Sequence, residues 1–124
     1  MENLLIASTK KTPEVNFSAD GRLKISGRSI PEDATKFYDS LYEWVYHYCL
    51  QPGGVTTFDI ELEYFNSGSS KSILNILRAL VDVTKKGHQF SVNWYYEEGD
   101  DDILERGEYF ESILNVKFNF IETE

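Results

Sequence analysis

The sequence predicts an α/β two-layer sandwich: a mixed β-sheet with about three helices packed on one face. Three observations predict it. Strand-like and helix-like segments succeed one another in the order ββαβαβαβ. The later strands alternate polar and apolar residues instead of forming apolar runs. The 124 residues contain no Gly/Ser/Pro-rich linker, repeat or low-complexity tract, so one domain spanning 1–124 is expected.

The elements follow in order. The first dozen residues are weakly patterned and read as an edge strand or a loose arm. Val15 and Phe17 alternate with Asn16 and Ser18, Ala19-Asp20-Gly21-Arg22 is a turn signal, and Leu23 and Ile25 follow; this is a β-hairpin. Ser29-Ile30-Pro31-Glu32 has the spacing of a capping box with Pro in the first turn, predicting a helix start. Phe37, Leu41, Trp44, Val45 and Tyr48 form one face of that helix, and Gln51-Pro52-Gly53-Gly54 stops it.

A strand over about 55–65 places Phe58, Ile60, Leu62 and Tyr64 on one side. Ile73, Ile76, Leu77, Leu80, Val83 and Thr84 then recur at helical spacing over about 69–86, ending at Lys85-Lys86-Gly87. Phe90, Val92, Trp94 and Tyr96 mark a further strand, Ile103, Leu104, Phe110, Ile113 and Leu114 a third helix, and Val116, Phe118 and Phe120 a closing strand. Opposite the apolar positions stand Asp59, Glu61, Glu63, Ser91, Asn93, Lys117 and Asn119. Burying such a face beneath helices would cost large desolvation energies, so all helices belong on the other side. Right-handed crossovers complete the arrangement.

Composition narrows the function. A net charge of −9, with only Lys10-Lys11 and Lys85-Lys86 adjacent, argues against nucleic acid and anionic membrane surfaces as partners. No apolar run reaches membrane-spanning length, and the first residues lack a basic segment followed by a long apolar one, so a cytoplasmic location is expected. Cys49 is the single cysteine and falls in the first helix pattern, where it reads as a small buried hydrophobe. His47 and His88 lack neighbours at ligand spacing, and Gly53-Gly54 lacks the Lys-Ser/Thr of a phosphate loop. No catalytic residue, metal site or cofactor is expected, and the chain does not read as an enzyme.

The richest segment is Tyr64-Phe65-Asn66-Ser67-Gly68-Ser69-Ser70-Lys71, between a strand and a helix. Small polar residues there commonly serve as turns and caps. Hydroxyls at a helix start also sit beside unpaired N–H groups and the positive dipole end, where a phosphoryl group is favoured. The segment therefore reads as a regulatory switch more than a catalytic centre.

With this element order, the chain resembles the STAS domains, including anti-sigma-factor antagonists. The segment Leu62 to Lys71 resembles more specifically the SiaC-type regulatory phosphoproteins, whose Tyr-x-Asn-Thr-Ser-Ser-x-Lys motif is phosphorylated at its Thr. Thr12-Pro13, Gly21-Arg22-Leu23, Ile30-Pro31-Glu32, Trp44-Val45 and Trp94-Tyr95-Tyr96 extend the likeness over nearly the whole chain. Tyr64, Asn66 and Lys71 match directly, and Ser67 falls at the phosphorylated Thr. The resemblance implies Ser67 as phosphosite with Ser69 as second choice, and Tyr64, Asn66, Gly68, Ser69, Ser70 and Lys71 as switch and partner-binding residues. Gly68, in place of a Ser, is expected to loosen the loop. The resemblance further implies a cytosolic bacterial partner-switching protein with a STAS-like fold. An anti-sigma-type Ser/Thr kinase would modify it, a PP2C-type phosphatase would reset it, and a diguanylate cyclase is a possible effector.

Two other features have competing readings. Glu97-Glu98-Gly99-Asp100-Asp101-Asp102 could serve a small metal- or ligand-binding module or an enzyme, but it lacks the ligand spacing of a calcium loop. Acids at a turn and first helical turn account for it more simply. Tyr38, Tyr42 and Tyr46 form a second row along the first helix, either a possible interface or a cover for the sheet rim.

Overall fold

The computed structural model describes residues 1–124. Six strands form one mixed sheet in sequence order: β1 (Leu4–Ile6), β2 (Glu14–Phe17), β3 (Arg22–Ser29), β4 (Val55–Phe65), β5 (Gln89–Glu97) and β6 (Phe118–Thr123). The first two pairings are antiparallel and the remaining three parallel. Each parallel pair is bridged by a helix: α1 (Ala34–Leu50), α2 (Ser67–Val81, continued by a 3-10 segment Asp82–Lys86) and α3 (Asp101–Leu114). This is the mixed two-layer arrangement the alternating strands require.

The covered face carries the core. Val15, Phe17, Leu23, Ile25, Phe58, Ile60, Leu62, Val92, Trp94 and Phe118 are buried there against Leu41, Val45, Ile73, Leu77, Ile103 and Phe110. The other face stays wet and holds itself together by polar cross-strand pairs. Asn93 donates to Asp59 at 2.7 Å, Asn119 donates to Asn93 at 3.0 Å, and Lys24 pairs with Glu61 at 3.5 Å. Cross-strand contacts of this kind stabilise a sheet without needing a covering layer.

The closing strand begins at Phe118 and not at Val116, Ile113 of α3 is exposed, and two further departures from the periodic reading shape the site. The first helix is capped by Asp33, whose carboxylate accepts from Lys36 N at 3.1 Å, and not by the Ser29/Glu32 pair. Ser29 is unavailable as a cap because its backbone ends β3 opposite Phe65 and its side chain is buried. Near the end of β4 the alternation changes phase. Gly27 pairs with Leu62 and Arg28 with Tyr64, which leaves Glu63 as an extra, bulged residue. A bulge exchanges the faces of everything beyond it. Phe65 is therefore fully buried and Tyr64, expected inside, is 46% exposed.

Trp94 illustrates how the third helix seats. Its indole N–H donates to Ile103 O at 3.0 Å, and its ring meets Phe110 edge-on at 5.6 Å between centroids. A Cβ on Gly107 would stand 2.6 Å from the Trp94 ring. Only glycine allows α3 to lie this close to β5, which outweighs its cost of about 1 kcal/mol in a helix interior.

Candidate functional site

The segment 64–71 lies where β4 ends and α2 begins, and α2 contacts both α1 and α3. Asn66 is the N-cap and organises the turn through four hydrogen bonds. Its side-chain oxygen accepts from Ser69 N at 2.9 Å and its amide donates to Pro31 O at 3.1 Å. Its backbone N–H donates to Ser29 O at 3.0 Å, and its carbonyl accepts from Ser70 N at 2.9 Å. The cap thus ties the start of α2 to the end of β3 and to the approach to α1.

The two candidate hydroxyls occupy opposite environments. Ser67 is the first residue of α2 and is exposed. Ser69 is fully buried; its hydroxyl donates to Ser29 O at 3.1 Å and lies 2.8 Å from Ser29 Oγ. Tyr38 Oη lies 2.7 Å from Ser29 Oγ. Each hydroxyl has one proton, so counting sets the directions. With the Ser69 proton on the Ser29 carbonyl, Ser29 must donate to Ser69, and Tyr38 must donate to Ser29. The chain Tyr38 → Ser29 → Ser69 → Ser29 O is closed and satisfied. Burial pushes the Tyr38 phenol up to about 12, against a smaller opposing effect of the Ser29 and Ser69 hydrogen bonds.

The tyrosine row of α1 is therefore split. Tyr38 is only 2% exposed and belongs to the interior, whereas Tyr42 and Tyr46 are 45% and 54% exposed. The row fails to form one surface because Tyr38 turns toward the buried Ser29 hydroxyl. Between α1 and α2 runs an open groove of about 590 Å³, lined by Tyr42, Asp39, Gly68, Lys71, Asn75 and Arg78 among others. Lys71 is exposed and joins no ion pair. Gly68 does not loosen the loop. It sits in the first turn of α2, where an added Cβ would lie 3.1 Å from Ala34 Cβ, so its small size serves the approach of α2 to α1.

One residue at the site carried no signal in the sequence. Arg106, on α3, donates from Nη1 to Phe65 O at 2.7 Å, and its guanidinium lies 3.7 Å from the centroid of the Phe65 ring. Only the strand order brings α3 beside the end of β4, so no local motif could have marked it.

Elsewhere the candidates are structural. Asp100 caps α3 by accepting from Ile103 N at 3.1 Å, with Asp101 and Asp102 in the first turn, so the three aspartates of the acidic run have helix-start roles, while Glu97 ends β5. No three His, Cys, Asp or Glu side chains come together as a metal-binding group. Cys49 is half-buried, donates to Ala79 O at 3.6 Å, and burial pushes its thiol up. No helix is long and apolar enough to cross a membrane.

Residues 6–123 match the family described as SiaC family regulatory phosphoprotein. The chain belongs to the SiaC family. It is 27% identical over 119 residues to an uncharacterized protein of Pseudomonas aeruginosa strain UCBPP-PA14, covering 95% of this chain and 94% of that one. The crystal structure of apo-SiaC from Pseudomonas aeruginosa superimposes with a TM-score of 0.87 at 26% identity, covering 100% of both chains. A match with a TM-score of 0.89 at 26% identity, covering 97% of this chain and 99% of that one, comes from the crystal structure of the diguanylate cyclase SiaD in complex with its activator SiaC, also from Pseudomonas aeruginosa. The SiaC architecture is thus shared from end to end, six strands and three helices included.

Proposed function

We propose that this SiaC-family chain is a non-enzymatic bacterial switch protein, acting in the cytoplasm as one domain, that changes partners with the phosphorylation of Ser67. The observation that carries the reading is the contrast at the start of α2: Ser67 is exposed, whereas Ser69 is sealed and fully hydrogen-bonded. A kinase can reach the first without disturbing the fold; reaching the second means breaking the buried hydroxyl chain.

In the modifying step, Ser67 Oγ attacks the γ-phosphorus of ATP, a P–O bond forms, ADP leaves, and the hydroxyl proton passes to a base on the kinase. An anti-sigma-type Ser/Thr kinase fits this role and a PP2C-type phosphatase the reverse hydrolysis. The product adds about −1.5 to −2 charges and three strong acceptors at the exposed start of α2. A partner shaped for the neutral serine, exposed Tyr42 and Lys71 then meets a hydrated dianion instead. The activator SiaC bound to SiaD supports a diguanylate cyclase as the effector that docks the unmodified form.

The test is direct. Incubation with ATP and the cognate kinase, followed by mass spectrometry, is expected to place the phosphoryl group on Ser67. In calorimetry against the effector, Ser67→Ala is expected to bind like wild type and Ser67→Asp at least about tenfold more weakly, about 1.4 kcal/mol. Equal binding by both variants rejects the electrostatic switch.

A further inference from the structure

The α3 side of the site contains a cation that the fold does not otherwise use. Arg106 forms none of the chain's four ion pairs. Its one hydrogen bond runs from Nη1 to Phe65 O, and its guanidinium rests over Phe65 and 5.7 Å from the centroid of Tyr64. A guanidinium has five N–H donors in a fixed fork. Four of them are without a protein acceptor, on a half-buried side chain.

Helix geometry decides which way Ser67 and Arg106 face. Successive residues of a helix turn by about 100°. On α2, Ser69, Ile73, Ile76 and Leu80 point into the core, while Gly68, Lys71, Ser72, Asn75 and Arg78 border the groove toward α1. Ser70 and Leu74 lie on the flank toward α3, which α2 contacts, and exposed Ser67 stands on the rim of that flank, between Leu74 and the groove-lining Arg78. On α3, Ile103, Gly107 and Phe110 are buried, and Glu111 reaches β6 by accepting from Phe118 N at 2.8 Å. Arg106 stands on the opposite flank of α3, the one toward α2. The two flanks face each other across the carbonyl of Phe65. Ser67 follows Phe65 by two residues, a span of at most about 7 Å of chain.

We propose that Arg106 is the receiving side chain for the phosphoryl group on Ser67. On modification its fork exchanges the neutral Phe65 carbonyl for phosphate oxygens, because charge-assisted bonds to a dianion are shorter and roughly twice as strong. A planar fork also matches phosphate with two parallel N–H···O bonds, which a lysine cannot do. The exchange draws the guanidinium away from the Tyr64 and Phe65 rings and frees the Phe65 carbonyl. Phosphorylation then remodels the surface around exposed Tyr64 in addition to charging it. The phosphoprotein thereby differs from an aspartate mimic, whose shorter carboxylate extends less far toward Arg106.

The inference rests on Ser67 being the modified residue, and a genetically encoded phosphoserine separates the two questions. Full-length protein with phosphoserine at position 67 is prepared with wild-type, Arg106→Gln, Arg106→Lys and Lys71→Gln backgrounds, and the phosphate is titrated by phosphorus NMR at low salt. Arg106→Gln is expected to raise the second phosphate pKa by about half a unit, a threefold change in the protonation constant, with smaller shifts for Arg106→Lys and Lys71→Gln. An unchanged value in Arg106→Gln, or a larger effect from Lys71→Gln, overturns the assignment. If Arg106→Gln does not fold, the unsubstituted protein decides: the Arg106 Nε–H resonance is expected to move when phosphoserine replaces serine, and a stationary resonance overturns it. Cells that never phosphorylate Ser67 would reject the switch while leaving this titration intact; a silent titration would reject Arg106 while leaving the switch intact.

Discussion

The second helix is held differently on its two flanks. Toward α1 the contacts are neutral and closed: Asn66 caps the helix, Gly68 lies against Ala34, and Ser69, Ser29 and Tyr38 form a buried chain with every proton used. Toward α3 the upper contact is a half-buried cation with spare donors, set above a close approach between Gly107 and Trp94. The physics of the two flanks is opposite. A satisfied neutral network in a low-dielectric interior resists change, since losing any partner leaves another group unsatisfied. A cation with open donors responds to whatever anion arrives. One flank anchors the helix; the other can report on what is attached to it.

The difference between the flanks is lost if α3 is not seated as closely as Gly107 implies. Gly107→Ala puts a methyl 2.6 Å from the Trp94 ring, against aromatic carbons and nitrogen with no flexible end to yield. Overpacking of this kind costs about 1–3 kcal/mol, and an upper-end value is expected here because α3 or the indole must shift. The gain in helix propensity, about 1 kcal/mol, offsets only part of it. Chemical denaturation measures the balance. Wild-type stability in Gly107→Ala would mean a looser α3, and the placement of Arg106 beside β4 would lose its support.

The next effect belongs to the α1 flank. Ser29→Ala removes the middle of the hydroxyl chain and leaves the Tyr38 proton buried without an acceptor, at an expected cost of about 2 kcal/mol. Tyr38→Phe removes only the terminal donor, and Ser29 still donates to Ser69, so the expected cost is about 1 kcal/mol. Combining them deletes the orphan with its cause. The double variant is therefore expected to be less destabilised than the sum of the singles, a coupling that denaturation midpoints would reveal. Strict additivity would show that the three hydroxyls do not act as one chain.

Much of this architecture was legible because alternation and helical spacing report burial directly. Asp59, Glu61, Asn93 and Asn119 announced a wet face, and that face placed all three helices on the other side. What escaped depends on pairings distant in sequence. Tyr64 and Phe65 exchange sides because β3 and β4 slip past each other at Glu63, which no residue in β4 records. Ser29 looked like a cap by spacing; strand pairing with Phe65 had already claimed it, and Asp33 took the role. Gly68 suggested freedom in a loop and instead marks contact between helices. In the candidate site, the segment 64–71 was readable from its hydroxyls and flanking elements, but the depths of Ser67 and Ser69 were not. Two serines two residues apart on a helix start point in different directions, and only the position of β3 decides which is covered. Arg106 arrives through the sheet order alone.

The smallest and most selective test of the anchored flank is a titration. An ordinary tyrosine ionises near 10, whereas burial pushes Tyr38 up to about 12. Its folded value exceeds its unfolded value, so the neutral phenol contributes stability that is complete below pH 10. Between pH 10 and 12 the unfolded chain ionises while the folded one does not, and the contribution is lost as pH rises through that window. Tyrosinate absorbance in wild type minus that in Tyr38→Phe isolates this one phenol from the chain's eight tyrosines. The difference curve is expected to have its midpoint near 12 if the fold survives, or to rise abruptly with unfolding before that pH. A smooth midpoint near 10 in folded protein would place the hydroxyl in water. The α1 flank would then be as open as the α3 flank, and the burial that separates Ser69 from Ser67 would disappear with it.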